Sequence, residues 1–184
     1  MDVVLVIMCA YAAGNFLTAS VVGKLFYARN IRVEGSGNPG ARNMGRVLGK
    51  KAFVITFLGD AMKGVVAVLL AKSLGLSESI QLISLLAAML GHIFPVVAKF
   101  KGGEGISTFI GGMLAFNPFA VGLVVLAFLI LQPFLKTFSA TGFTAISLTP
   151  LFLFLLTKDW AQVGLAAVLV ALLLCVRNRH EAPV

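Results

Sequence analysis

This chain predicts an all-α fold: a polytopic membrane helix bundle of about seven transmembrane helices, with the N-terminus outside and the C-terminus cytoplasmic. Three observations carry that reading: the apolar content, the lengths of the apolar runs, and the placement of the cations. Hydrophobic residues make up 59% of the 184 residues, only 12% are charged, and mean hydropathy is +1.01. That is more apolar surface than a soluble single-core domain buries. The apolar runs at 3–23, 52–74, 79–98, 106–117, 118–135, 142–157 and 160–176 are the candidate spans, judged against roughly 20 residues per membrane helix.

Each run has its own justification. The first follows only Met1-Asp2 and carries its positive flank afterwards, so it reads as a retained anchor rather than a cleavable signal. The run 52–74 holds Asp60 and Lys63 at i, i+3, close enough on a helix to offset each other's cost of leaving water. A structural role is the first expectation for that pair. The run 106–117 is too short for the hydrocarbon thickness unless it is a half-helix or is buried among neighbours. Asn117-Pro118 then turns the chain, and Gly111 and Gly112 suit close helix approach. Trp160, beside Lys158-Asp159, reads as an interfacial anchor. Cys9 and Cys175 lie in distant apolar runs without metal-ligand spacing and read as small buried hydrophobes.

Seven crossings sort the cations onto one face. Lys24, Arg29, Arg32, Arg42, Arg46, Lys50, Lys51, Lys99, Lys101, Lys136, Arg177 and Arg179 share it, whereas only Lys72 and Lys158 fall on the other. This is the asymmetry of the positive-inside rule, and it places the populated face in the cytoplasm. There is no clean internal repeat and no extramembrane domain, so residues 1–184 are expected to form one domain.

Chemistry must then come from the loops on the basic face. Residues 34–51 are glycine-rich and basic, and Gly35-Ser36-Gly37-Asn38-Pro39-Gly40 spells Gly-x-Gly-x-x-Gly. No strand precedes that string, and Gly40-Ala41-Arg42 is not the end of a Walker loop, so nucleotide sites are excluded. What remains is an anion nest, with glycines that turn amides inward, Ser36, Asn38 and Asn43 as neutral donors and Arg42 and Arg46 as charged ones; the alternative is a turn-rich basic loop that only faces lipid headgroups. A second constellation runs Gly91-His92-Ile93-Phe94-Pro95 and then Lys99-Phe100-Lys101-Gly102-Gly103-Glu104-Gly105, another basic glycine loop opening a helix.

These motifs, together with Leu48-Gly49-Lys50-Lys51 and Leu58-Gly59-Asp60-Ala61-Met62-Lys63-Gly64, resemble in order and spacing the bacterial acyl-phosphate:glycerol-3-phosphate acyltransferase family over nearly the whole chain. The resemblance implies an integral enzyme of phospholipid biosynthesis in the bacterial inner membrane. It would move a fatty acyl group from acyl phosphate to the sn-1 hydroxyl of glycerol-3-phosphate, forming lysophosphatidic acid. Its implied partners are those two substrates and membrane lipid, with no nucleic acid, cofactor or metal. The implied catalytic residues are Ser36, Asn38, Arg46 and Lys101; Gly37, Gly40, Arg42, Asn43, His92, Gly102, Gly103, Glu104 and Ser139 would bind substrate phosphate. The His-x-x-x-x-Asp motif of acyl-CoA-dependent enzymes is missing, since Val97 stands five residues after His92.

Three positions depart from the family pattern. Arg42 stands where the first motif commonly has Thr, Glu104 where the second commonly has Lys, and the tail runs from His180 to Pro183 and Val184 in place of His-x-x-Asn and a basic stretch. The sign pattern leads us to expect an Arg42–Glu104 ion pair, because an unpaired acid would repel phosphate. The alternative is a redirected or non-catalytic paralogue that acylates another acceptor or binds or transports a phosphorylated metabolite. Reporter tags fused to the two ends should signal opposite compartments; the same compartment from both would remove the odd number of crossings.

Overall fold

The computed structural model describes residues 2–181, with side chains described through Arg177. Ten α-helices are described: α1 (Val3–Gly14), α2 (Thr18–Tyr27), α3 (Ala41–Leu48), α4 (Lys50–Ser73), α5 (Glu78–Ile93), α6 (Ile106–Phe116), α7 (Pro118–Leu131), α8 (Phe138–Ser147), α9 (Thr149–Thr157) and α10 (Trp160–Glu181). Five segments are long and apolar enough to cross a membrane: Val3–Tyr27, Lys50–Ser73, Glu78–Ala98, Phe138–Thr157 and Trp160–Arg177. Two further apolar helices, α6 and α7, are shorter. The protein is therefore an all-helical, multi-pass membrane protein, and every candidate run of the sequence corresponds to apolar helix.

The breaks have local causes. Asp2 opens α1 by accepting from the Val4 N–H at 3.2 Å, and the chain bends at Asn15-Phe16-Leu17 before continuing as α2. Asn117 caps α7 through Ala120 N–H at 3.0 Å, with Pro118 opening the helix where its missing N–H is harmless. The span expected at 142–157 starts earlier, at Phe138, and divides at Leu148 ahead of Pro150.

One element is helical where the glycine-rich composition predicts loop. Residues 41–48 form α3, whose buried Met44 packs with Ala19, Val22, Ile31 and Ala52, while Arg42 and Arg46 lie exposed one turn apart. It is a short amphipathic helix of the kind that lies along a membrane surface. A second correction concerns Cys9 and Cys175, which are free and exposed rather than buried. On the outer surface of α1 and α10, a thiol meets lipid as readily as protein.

α6 spans only 11 residues, about 16 Å of rise, and it is buried among its neighbours. Thr108, Phe109, Gly111, Gly112 and Met113 are all inside. α4 and α6 meet backbone to backbone: a Cβ at Gly64 would strike the Thr108 carbonyl, and one at Gly111 would strike the Ala61 carbonyl. Thr108 Oγ1 donates to the Asp60 carbonyl at 3.0 Å across the same contact. Lipid gives no hydrophobic advantage to helix association, so such close contacts and interhelical hydrogen bonds hold the pair. The remaining core joins Leu82, Leu85 and Met89 of α5 with Phe109, Met113, Leu153, Leu169 and Leu173.

Gly64→Val or Gly111→Val should lower the thermal unfolding midpoint in detergent, at a cost of about 1–3 kcal/mol each, as overpacking does. Gly122→Ala, where a Cβ meets nothing within 4 Å, should leave it unchanged.

Candidate active site

The site grows from a loop that one side chain organises. Asn43, at the start of α3 and 2% exposed, accepts from the Ser36 N–H at 2.9 Å. It also donates to the Glu34 carbonyl at 2.9 Å and to the Ile31 carbonyl at 3.3 Å. Arg29 grips the Glu34 carboxylate and holds its pKa below the usual carboxylate range, chiefly through hydrogen bonding, so this corner of the loop stays ionised. Gly35 and Gly37, at φ of 61° and 70°, take the left-handed turns that the loop requires.

The second loop is seated on α5. The Gly102 N–H donates to the Ile93 carbonyl at 3.0 Å and the Gly103 N–H to the His92 carbonyl at 3.2 Å. A Cβ at Gly103 would collide with His92 Nε2, so only glycine lets this loop lie against the ring. Arg32 links the two loops by donating from Nη1 to the Lys101 carbonyl at 2.7 Å.

Beneath the loops a buried polar cluster joins α4 to α5. Lys63 Nζ lies 2.6 Å from Asp60 Oδ1 and 3.3 Å from His92 Nδ1, and His92 Nδ1 lies 3.7 Å from Asp60 Oδ1. A charged lysine only donates, so the His92 nitrogen it approaches serves as acceptor. The three side chains are at most 5% exposed.

Above this cluster opens a cavity of about 500 Å³, within the range of ligand pockets. Its polar end is Asn38, Gly40, Arg42 and Glu104, with Asp60 and His92 at the floor and Ser139 on the α8 side. Its body is apolar, walled by Phe53, Phe57, Ile110, Val124, Phe128 and Phe143 among others. Two loops that are far apart in the chain, together with the start of α8, thus converge on one hollow. Asn38 bridges them: its Nδ2 donates to Glu104 Oε1 at 2.7 Å, while its buried Oδ1 has no partner.

Several expectations change with this geometry. The Arg42–Glu104 ion pair is not formed: both residues line the cavity, but Glu104 takes the Asn38 amide hydrogen, and no ion pair involving either occurs among the described residues. Asn43 has spent its amide and carbonyl on the loop. The N–H groups of Gly37, Gly40, Gly102 and Gly103 all donate to carbonyls of the loops or of α5. Helix-opening amides without a side-chain cap lie at the first turns of α3 and α6, where Ala41, Arg42, Ile106 and Ser107 line the cavity behind Gly40 and Gly105. Ser36, Arg46 and Lys101 are exposed on the flanking elements, outside the cavity wall. The tail departure from His180 to Val184 lies outside the residues whose side chains are described.

Asp60 lines the cavity floor with Lys63 behind it, a placement beyond the structural role that their spacing suggests. The available signal was an i, i+3 charge pair inside an apolar run; their meeting with His92 is a tertiary fact that no spacing contains.

A cationic helix opening above a greasy hollow defines a membrane protein that handles an amphipathic anion. The sequence profile described as Glycerol-3-phosphate acyltransferase matches residues 4–183. Glycerol-3-phosphate acyltransferase 1 of Bacillus cereus (strain ATCC 10987 / NRS 248) is 44% identical over 174 residues, covering 95% of this chain and 96% of that protein. A crystal structure of PlsY (YgiH), an integral membrane glycerol 3-phosphate acyltransferase, in its glycerol 3-phosphate form superposes with a TM-score of 0.87 at 32% identity, covering 96% of this chain and 88% of that one. Its lysophosphatidic acid form gives 0.85, with the same identity and coverage. The chain belongs to the glycerol-3-phosphate acyltransferase family.

Replacing one member of the buried cluster strands the others in a low-dielectric interior. Asp60→Ala should cost about 3–5 kcal/mol of stability, whereas the paired change Asp60→Leu with Lys63→Met should cost less. Thermal unfolding in detergent measures both; equal losses would mean that the pairing contributes nothing.

Proposed function

We propose that this protein transfers a fatty acyl group from acyl phosphate to the sn-1 hydroxyl of glycerol-3-phosphate, releasing lysophosphatidic acid and inorganic phosphate. The site faces the cytoplasm from the bacterial inner membrane, in a chain that crosses seven times with its N-terminus outside. The observation that carries this reading is the cavity's composition: a polar end that holds Arg42 and the uncapped opening of α3, continuous with an apolar body among helices. Acyl phosphate has that same division. The family match favours transfer over the binding or transport alternative.

No protein nucleophile is needed, because acyl phosphate is already activated. The glycerol hydroxyl oxygen attacks the acyl carbonyl, the bond from carbonyl carbon to phosphate oxygen breaks, and the departing phosphate takes the hydroxyl proton. The protein's part is orientation and charge stabilisation. The free Asn38 Oδ1 accepts the attacking hydroxyl, its position fixed by Glu104. Arg42 and the opening amides of α3 receive phosphate. Ser36, Arg46, Lys101 and Ser139 flank the mouth and close on the two phosphates when both substrates are bound. Glu104, at a position where a cation is common, serves by holding Asn38 and not by binding phosphate. The acyl chain lies along the phenylalanine-lined body.

Purified protein given acyl phosphate and glycerol-3-phosphate should form lysophosphatidic acid. Asn38→Ala should lower kcat/KM by about 100-fold, the scale of removing a positioned polar group, and Arg42→Ala should mainly raise KM. Full kcat/KM in Asn38→Ala would overturn the role given to that amide, and absence of product from the unaltered protein would overturn the activity.

A further inference from the structure

A second hollow, separate from the cavity above, lies between the α1–α2 bend and the turn that follows α5. It measures about 690 Å³ and is lined by Ala12, Asn15, Phe16, Leu17, Ser20, Val21, Lys24, Arg32, Val97, Ala98 and Lys99. Residues 17, 20, 21 and 24 share one face of α2 by helical spacing, and that face passes from apolar to hydroxyl to ammonium. Lys99 enters from the opposite wall on a turn whose residues Lys99 and Phe100 both hold positive φ, 53° and 60°. Among the described residues no acid lines the groove.

Two of its polar atoms lack partners. Ser20 Oγ and Arg32 Nη2 are buried from solvent without a hydrogen bond in the protein. Arg32 makes no ion pair among the described residues, and burial pushes its pKa below the ordinary guanidinium value with no acid to oppose it. Buried polar atoms are nearly always satisfied, so unpaired donors beside two lysines call for an anion. The apolar walls on lipid-exposed helices say what else that anion carries.

We infer that this groove binds one anionic phospholipid, its phosphate held by Lys24, Arg32 and Lys99 and one acyl chain lying against Phe16, Leu17 and Val97. Arg32 also donates to the Lys101 carbonyl, so the bound lipid braces the loop that carries Gly102, Gly103 and Glu104. A free phosphate offers the same head-group chemistry but leaves the apolar wall unused.

Native mass spectrometry of the detergent-purified protein tests this without reference to catalysis. Phosphatidylglycerol should add as a single retained lipid, and phosphatidylcholine should bind about tenfold more weakly, as expected for a site read by charge. Lys24→Gln with Lys99→Gln, both at exposed positions, should weaken phosphatidylglycerol retention by about tenfold or more. Millimolar inorganic phosphate should leave the adduct in place. Unchanged retention in the double variant, equal binding of phosphatidylcholine, or complete displacement by phosphate would each overturn the assignment. Because the readout is binding, failure of the acyltransfer assay would leave this result legible.

Discussion

The Lys63 ammonium, lodged between Asp60 and His92, ties α4 to α5 in a medium that offers neither charge a hydrogen bond. In lipid the alternative to this partnership is an unsatisfied charge, which costs far more than it would in water. Hence α4 and α5 hold one register against each other. His92 in turn fixes where the Gly102–Gly103 loop can sit, since both glycine amides end on α5 carbonyls beside the ring. The loop then delivers Glu104 to Asn38. A buried ionic contact at the cavity floor thereby sets the position of the polar groups at its mouth.

The same economy of space shapes the apolar part. Gly64 and Gly111 bring α4 and α6 into backbone contact, which allows α6 to be short without exposing unpaired ends to hydrocarbon. Shortness here opens volume: α6, α7 and α8 border the hollow whose walls are phenylalanine and branched aliphatic side chains. A substrate with an ionic head and a fatty chain matches both halves at once.

Much of this was legible in order along the chain. Apolar runs gave the membrane class, and glycine spacing with polar neighbours singled out the loops that meet at the cavity. Less legible was what each group does. Gly37, Gly40, Gly102 and Gly103 look alike as amide donors in a sequence, yet each amide already has an acceptor. Asn43 and Asn38 are the same residue five positions apart. One is saturated within its own loop, and the other holds Glu104 through its nitrogen and keeps an oxygen without a partner. Arg42 and Glu104 suggested a pair by sign alone, whereas the shorter reach of Asn38 claimed the carboxylate first.

Sequence by itself determined the solvent, the helical class and the set of chemically capable residues, because hydropathy, periodicity and charge are local sums over neighbouring positions. Tertiary structure decided which of those residues are free. Whether a donor is available depends on which acceptor lies within about 3 Å of it, and for most of these groups that acceptor is either contributed by a different helix or reached only through the exact fold of the loop.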